Sequence, residues 1–265
     1  MIDPLYTATA VEAALAAGRI QRSHFRQGIA VDKKGPIDLV TAADLAVERD
    51  FRARIAARFP THVVVGEEGS GGGQAVPTGR FRWILDPIDG TTNFAHGIAL
   101  FCVSIALEID GELSVGVVYD PIGDELFTAE RGGGARLNGV PLRVSTCETL
   151  IDSLLVTGFP YSVEERARQV LVFGALLERT RGVRRLGSAA LDLCYVAAGR
   201  FDAFWEEHLH AWDIAAGALI VAEAGGRVTN YADGPLDVFA GEILASNGPL
   251  HEAVRRVILD PRATP

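Results

Sequence analysis

The sequence predicts a mixed fold, α+β in its first half and α/β in its second, and three observations carry that expectation. Two helical patterns open the chain and are followed by a series of β-prone runs joined through Gly-containing turns, the mark of an antiparallel sheet. From Ser153 onward strand and helix patterns alternate, which predicts a sheet covered by helices. The 265 residues are 48% hydrophobic, enough to bury one large core or two tightly joined ones. The expected division is an N-terminal α+β lobe over residues 1–150 and a C-terminal α/β lobe over residues 151–265, joined in one compact unit.

Leu5, Ala8, Val11 and Leu15 sit at helical spacing and predict an amphipathic helix from about Leu5 to Phe25, broken by Lys33-Lys34-Gly35-Pro36. Thr41 and Asp44 have capping-box spacing ahead of Val47, Phe51, Ile55 and Phe59, so a second helix is expected from Thr41 to Arg58. His62 to Gly66 reads as a short strand ending in Glu67-Glu68, and Ser70 to Gly73 as a mobile loop. Phe101 to Ile109 and Leu113 to Tyr119 flank Asp110-Gly111 as a hairpin. Strands are expected next at Glu125 to Ala129, Ala135 to Leu137 and Leu142 to Val144. The second half reads as a strand at Leu154 to Thr157, a helix at Val163 to Arg179, a strand at Val183 to Leu186, a helix at Ala189 to Ala198 and a strand at Phe201 to Trp205. A helix opens at Trp212-Asp213 and stops at Gly225-Gly226. Strands near Gly226 to Tyr231 and Ile243 to Ser246 then lead to a helix at Leu250 to Ile258.

The stretch around which these elements are arranged runs from Phe81 to Phe94. It begins as an apolar strand and ends in Asp86-Pro87-Ile88-Asp89-Gly90, a turn with two carboxylates three residues apart. Pro87 fixes its own φ and biases Asp86 toward an extended conformation, so the turn is stiff. Gly90 permits close backbone approach, and Thr91-Thr92-Asn93 supplies hydroxyls and N–H groups suited to an anion if a short helix starts there. Such a string is also an ordinary Asx turn. Carboxylates beside an anion-binding turn, however, suggest cations between them: hard divalent ions with oxygen ligands, and phosphoryl transfer. Likewise, Asp44 has a capping role and the Glu67-Glu68 pair a solvated one as their plain alternatives.

A net charge of −9 argues against a nucleic-acid or acidic-membrane surface as the main business. Cys102, Cys147 and Cys194 lack CxxC spacing and are odd in number, which disfavours a disulfide scaffold or a zinc site. The N-terminus lacks a basic leader and no apolar run reaches about 18 residues, so no membrane span is expected and the cytoplasm is the expected location.

Three separated elements, Gly66-Glu67-Glu68, Asp86 to Phe94, and Trp212-Asp213-Ile214-Ala215-Ala216-Gly217 with Glu223-Ala224-Gly225-Gly226, together resemble the inositol monophosphatase family of Mg2+-dependent, lithium-sensitive phosphatases. The similarity extends to Asp38-Leu39-Val40-Thr41 and Gly187-Ser188-Ala189-Ala190, nearly the whole chain. The resemblance implies the layered α-β-α-β-α sandwich of sugar phosphatases. It also implies a homodimer acting on a small phosphate monoester, with two or three Mg2+ ions per site.

Position by position, the resemblance implies that Glu67, Asp86 and the carbonyl of Ile88 hold one metal and that Asp86, Asp89 and Asp213 hold a second. Glu67 would share in a weaker third site. Four converging acids need cations to offset their repulsion, which agrees with this assignment. Asp44, Glu67 and Thr91 form the implied catalytic group: Thr91 hydrogen-bonds the attacking water and Asp44 accepts behind it. The N–H groups of Gly90 and Thr91 would hold phosphate oxygens, with Asp89, Ser188, Ala189 and Glu206 facing the substrate; Lys33 matches a family lysine near the metal loop. Glu206 matches a position that accepts polyol hydroxyls, which suits inositol phosphate. Arg181, Arg184 and Arg185 could instead grip a second phosphate, so histidinol phosphate, fructose 1,6-bisphosphate and 3′-phosphonucleotides stay open as substrates. A regulatory role with the transcription or ribosome machinery is the alternative of another class. His210 is read as structural, and Trp205 and Trp212 as packing residues.

Overall fold

A computed structural model describes residues 2–27, 31–33, 39–68, 78–160, 162 and 166–262, with the backbone alone for residues 26–27, 31–33 and 39–40. The expected loop from Ser70 to Gly73 lies outside the described residues, as does Asp38. The chain opens with α1 (Pro4–Gln27), a small antiparallel pair β1 (Val31–Lys33) and β2 (Leu39–Thr41), and α2 (Ala42–Arg58). Next come β3 (Val63–Gly66), β4 (Phe81–Asp89), the short α3 (Thr91–Ala95), β5 (Cys102–Ile109), β6 (Glu112–Asp120), β7 (Glu125–Glu130), β8 (Gly134–Leu137) and β9 (Val140–Pro141). The remainder is β10 (Leu154–Thr157), α4 (Arg166–Leu177), β11 (Gly182–Arg184), α5 (Ala189–Ala197), β12 (Ala203–Glu207), α6 (Ala211–Glu223), β13 (Arg227–Thr229), β14 (Glu242–Ser246) and α7 (His251–Leu259).

Among the described residues, β3 to β9 form one sheet in sequence order, parallel only between β3 and β4. The second sheet has the order β11-β10-β12-β14-β13, with β10 parallel to both neighbours and β14 antiparallel to both of its own. Helices α1 and α2 cover the outer face of the first sheet, where Ala10, Ala13, Ala14 and Ala17 let α1 lie close to Val103, Val117 and Tyr119. Helices α5 and α6 fill the space between the sheets, apolar nearly all round as a buried helix must be, and α4 and α7 cover the far face of the second sheet. The result is the layered α-β-α-β-α sandwich.

Local chemistry explains the boundaries that differ from expectation. The strand expected at Leu142 to Val144 is absent; Asn138 and Gly139, both at positive φ, turn the chain so that Val140–Pro141 pairs instead. Leu142 N–H still reaches Ala135 O at 2.8 Å, but Val144 N–H turns to Ala224 O at the end of α6. The expected helical cap at Thr41 is present: Thr41 N–H and O–H both donate to Asp44 Oδ2, at 2.8 and 2.5 Å. Trp205 is fully buried in the outer core, and Trp212 stacks on His210 at 4.5 Å.

Candidate metal centre

The site is built at the end of β4. The register between β4 and β5 pairs Asp86 with Ser104 and Asp89 with Cys102, so Pro87 and Ile88 oppose Val103 alone. That two-against-one arrangement is a β-bulge, and it turns both carboxylates to the same place. Ile88 N–H donates to Asp86 Oδ1 at 2.9 Å, and the Thr91 hydroxyl donates to Ile88 O at 2.8 Å. Gly90 has φ +97°, and a Cβ there would lie 3.1 Å from Leu100 O and 3.2 Å from Gly187 O. Only glycine fits that corner. Asn93 fixes the short helix behind it, donating to Leu100 O and Leu186 O.

Asp89 reaches across to the second half of the molecule. It receives Ser188 Oγ–H at 2.5 Å and the N–H groups of Ala190 and Ala189 at 2.7 and 3.2 Å, which places its charge at the N-terminus of α5. Asp213 stands in the first turn of α6 and accepts His210 N–H at 2.6 Å. Asp86, Asp89 and Asp213 each bring a carboxylate oxygen within 4.8 Å of the others. A second group with the same spacing is Asp44, Glu67 and Glu68. Its turn is held by Glu48, buried and ion-paired to Arg52, which accepts Glu68 N–H at 2.9 Å.

Burial is the main reason the Asp86 carboxyl lies well above the usual range, with the charges of Glu67, Asp89 and Asp213 adding to it. Burial and then Asp89 push Asp213 up in the same way. Asp89 rises less, because its four hydrogen-bond donors oppose burial. These carboxyls are crowded without cationic side chains among their causes, and every donor is a hard oxygen. A divalent oxygen-seeking cation fits them.

Glu206 on β12 is buried, pushed up to about 8 by burial; Arg185 opposes that rise and Asp89 reinforces it. Ser188 and Ala189, expected at the substrate, make their described contacts with Asp89. Asp44 makes its described bonds with Thr41, and the Thr91 hydroxyl with Ile88. The side chain of Lys33 lies outside the described residues. Arg181 pairs with Asp152 at the surface, whereas Arg185 acts electrostatically on Glu206.

Three residues absent from the sequence reading lie beside these groups. Gln21, fully buried on α1, donates through Nε2 to Pro87 O at 2.7 Å and Cys102 O at 3.2 Å. Asp192 on α5 is buried, its carboxyl raised by burial and then by Glu206 and Asp89, and no hydrogen-bond partner reaches its Oδ1 among the described residues. Glu48 is the third. Each is a polar residue on the buried face of a helix, which helical spacing alone could have flagged: Gln21 continues the stripe of Ala10, Ala13, Ala14 and Ala17.

Nearly the whole chain is similar to known proteins. It is 45% identical over 255 residues to an inositol-1-monophosphatase of Rhizobium meliloti, covering 95% of each chain. It is 44% identical over 257 residues to the Nus factor SuhB of Pseudomonas aeruginosa, covering 94% of each. The crystal structure of the extragenic suppressor protein suhB from Bartonella henselae superposes with a TM-score of 0.89 at 40% identity, over 97% of this chain and 99% of that one. Residues 4–260, from α1 into the turn after α7 and including every acid of the site, match the inositol monophosphatase family, and the chain belongs to it.

Proposed function

We propose that the protein hydrolyses phosphate monoesters, with inositol monophosphate as substrate and Mg2+ as cofactor. The observation that carries this is the convergence of Asp86, Asp89 and Asp213 oxygens within 4.8 Å on the bulge and the first turn of α6. In this reading Glu67, Asp86 and the Ile88 carbonyl hold one cation, and Asp86, Asp89 and Asp213 a second, with Glu67 shared by a weaker third. When bound, the cations offset the carboxylates, attract the phosphoryl group to an acidic protein and make water a stronger acid.

The chain's own groups do the rest. The N–H groups of Gly90 and Thr91, at the start of α3 where helix geometry leaves donors without intrahelical partners, bind phosphate oxygens. The Thr91 hydroxyl, now on Ile88 O, turns to orient the attacking water, and Asp44 accepts the proton passed through it. Glu206 accepts hydroxyls of the polyol, while Ser188 and Ala189 fix Asp89 beside it. Inositol phosphate is favoured over bisphosphates and nucleotides because the buried group at that place is a carboxylate, Glu206, with Arg185 beside it as its electrostatic partner. The reading includes a homodimeric, cytoplasmic enzyme inhibited by lithium; among the described residues no helix is long and apolar enough to cross a membrane.

Phosphate release over a panel of monoesters decides the matter. Inositol monophosphate should be the best substrate, with activity requiring Mg2+ and falling with Ca2+, whose looser coordination misaligns an in-line attack. Full activity in EDTA would overturn the metal assignment. The name Nus factor carried by the Pseudomonas aeruginosa relative favours a second reading, association with the transcription machinery in addition to hydrolysis. Recovery of RNA polymerase or its elongation factors in a pull-down tests it, and their absence removes it.

A further inference from the structure

The β4–β5 bulge that aims Asp86 and Asp89 breaks the ladder of the first sheet, and something must satisfy the backbone groups it releases. Pro87 has no N–H to give. Its carbonyl and that of Cys102 point instead to α1, where Gln21 Nε2 donates to both. Gln21 is 0% exposed and lies on a helix face otherwise made of alanines against the sheet. No hydrogen-bond partner reaches its Oε1 among the described residues, so burying the amide is uphill on that side. The donor half is what the position requires.

We propose that Gln21 is the positioning residue of the metal-binding turn. The inference rests on the reading of Asp86, Ile88 O and Asp89 as ligands. By holding the Pro87 carbonyl on α1, the amide leaves the next carbonyl, that of Ile88, to a different partner, the Thr91 hydroxyl, which meets it at 2.8 Å. The Ile88 N–H is meanwhile taken by Asp86 Oδ1. Every polar backbone atom from Pro87 to Ile88 thus has an assigned partner, and Gln21 is the one supplied from outside the turn, by α1. Without it, the Pro87 and Cys102 carbonyls lose a buried side-chain donor and the peptide between Pro87 and Ile88 can rotate to seek another.

Gln21→Met keeps length and volume and removes the donor. Mn2+ binding by calorimetry and by electron paramagnetic resonance should weaken by about 10-fold, the loss expected for one or two buried hydrogen bonds. The Mg2+ concentration for half-maximal phosphate release should rise by a similar factor, with kcat at saturating metal within about threefold of the parent. Ala17→Gly, a packing change on the same helix face, should lower Tm and leave metal affinity unchanged. If Gln21→Met does not fold, Gln21→Asn, which is too short to span both carbonyls, should show the same weakening. A Gln21 variant that binds Mn2+ as the parent does, or an Ala17→Gly that weakens it equally, overturns the assignment. A parent chain that binds no Mn2+ overturns the metal reading itself, and is seen before any variant is made.

Discussion

Gly158 lacks a side chain where one would collide with a carboxylate: an added Cβ would lie 2.2 Å from the Glu206 oxygens. Gln169 on α4 holds this strand end, donating to Thr157 Oγ1 at 3.2 Å and Gly158 O at 3.3 Å, while the Thr157 hydroxyl donates to Trp205 O. Glu206 therefore sits in a slot that its neighbours hold open. If it reads polyol hydroxyls, Glu206→Gln should lower kcat/KM for inositol monophosphate by about 10- to 100-fold and barely affect an aryl phosphate. Gly158→Ala, which displaces the carboxylate without removing it, should show the same selectivity at about 10-fold. Kinetics of both variants on both substrates check this, and equal losses would mean that Glu206 supports the metal centre. Asp86→Asn and Asp213→Asn should each abolish turnover with an unchanged circular dichroism spectrum. Each should also raise the metal-free Tm slightly, because one member of a crowded acidic set is neutralised.

At the scale of elements, the centre depends on three chain reversals meeting: the bulge of β4, the first turn of α5 and the first turn of α6. Gly90 is the corner of the first, held between the carbonyls of Leu100 and Gly187. Gly90→Ala should cost about 1–3 kcal/mol through positive φ alone, and the displaced α3 should lower phosphate release by more than about 100-fold; a Tm scan and an activity assay measure the two effects. The Phe81 to Phe94 stretch was legible because its causes are local: Pro87, Gly90 and two carboxylates at fixed spacing. The helix at Ala42–Arg58 was legible for the same reason, through its cap and apolar period, and that at Ala211–Glu223 through its opening at Trp212-Asp213 and its stop at Gly225-Gly226. The pair Val31–Lys33 and Leu39–Thr41 was not, since three residues are too few to set a period. Helical spacing marks Gln21 as a buried position but not its partners, which lie 66 and 81 residues away. The strand expected at Leu142 to Val144 failed because β-prone composition does not say where a strand finds a partner; Leu142 N–H still reaches β8, but by Val144 the backbone bond has passed to the end of α6.

At the scale of the whole molecule, an acidic chain of net charge −9 concentrates Asp86, Asp89, Asp192 and Glu206 in its interior with the half-buried Asp213 beside them, each raised above its ordinary range with burial as the largest cause. A carboxyl whose folded pKa is raised binds a proton in the folded state that the unfolded chain has already lost. Its contribution to stability is complete below the unfolded value, 3.8 for the aspartates and 4.5 for Glu206, and is lost as pH rises, for Glu206 through about 8. His251 works in the opposite direction. Buried between Thr229 and Ser246, it is pushed down to about 4, so its neutral form favours folding fully above its usual 6.5 and loses that advantage as pH falls. The two effects oppose each other between about pH 4.5 and 6.5, and above 6.5 the carboxyls act alone. In EDTA, Tm should therefore fall between pH 6.5 and 8.5 by at least about 5 °C, given ~1.4 kcal/mol per pKa unit and about 2–4 °C per kcal/mol for a chain of this size. Saturating Mg2+ should flatten that fall and raise Tm throughout, since a ligand at about 100 times its Kd adds ~2.7 kcal/mol to the folded state. Glu206→Gln should remove part of the slope in EDTA and leave the effect of Mg2+ in place. A flat Tm in EDTA over this range, or a slope that Mg2+ does not change, would mean that the buried carboxyls are relieved by something other than a bound cation.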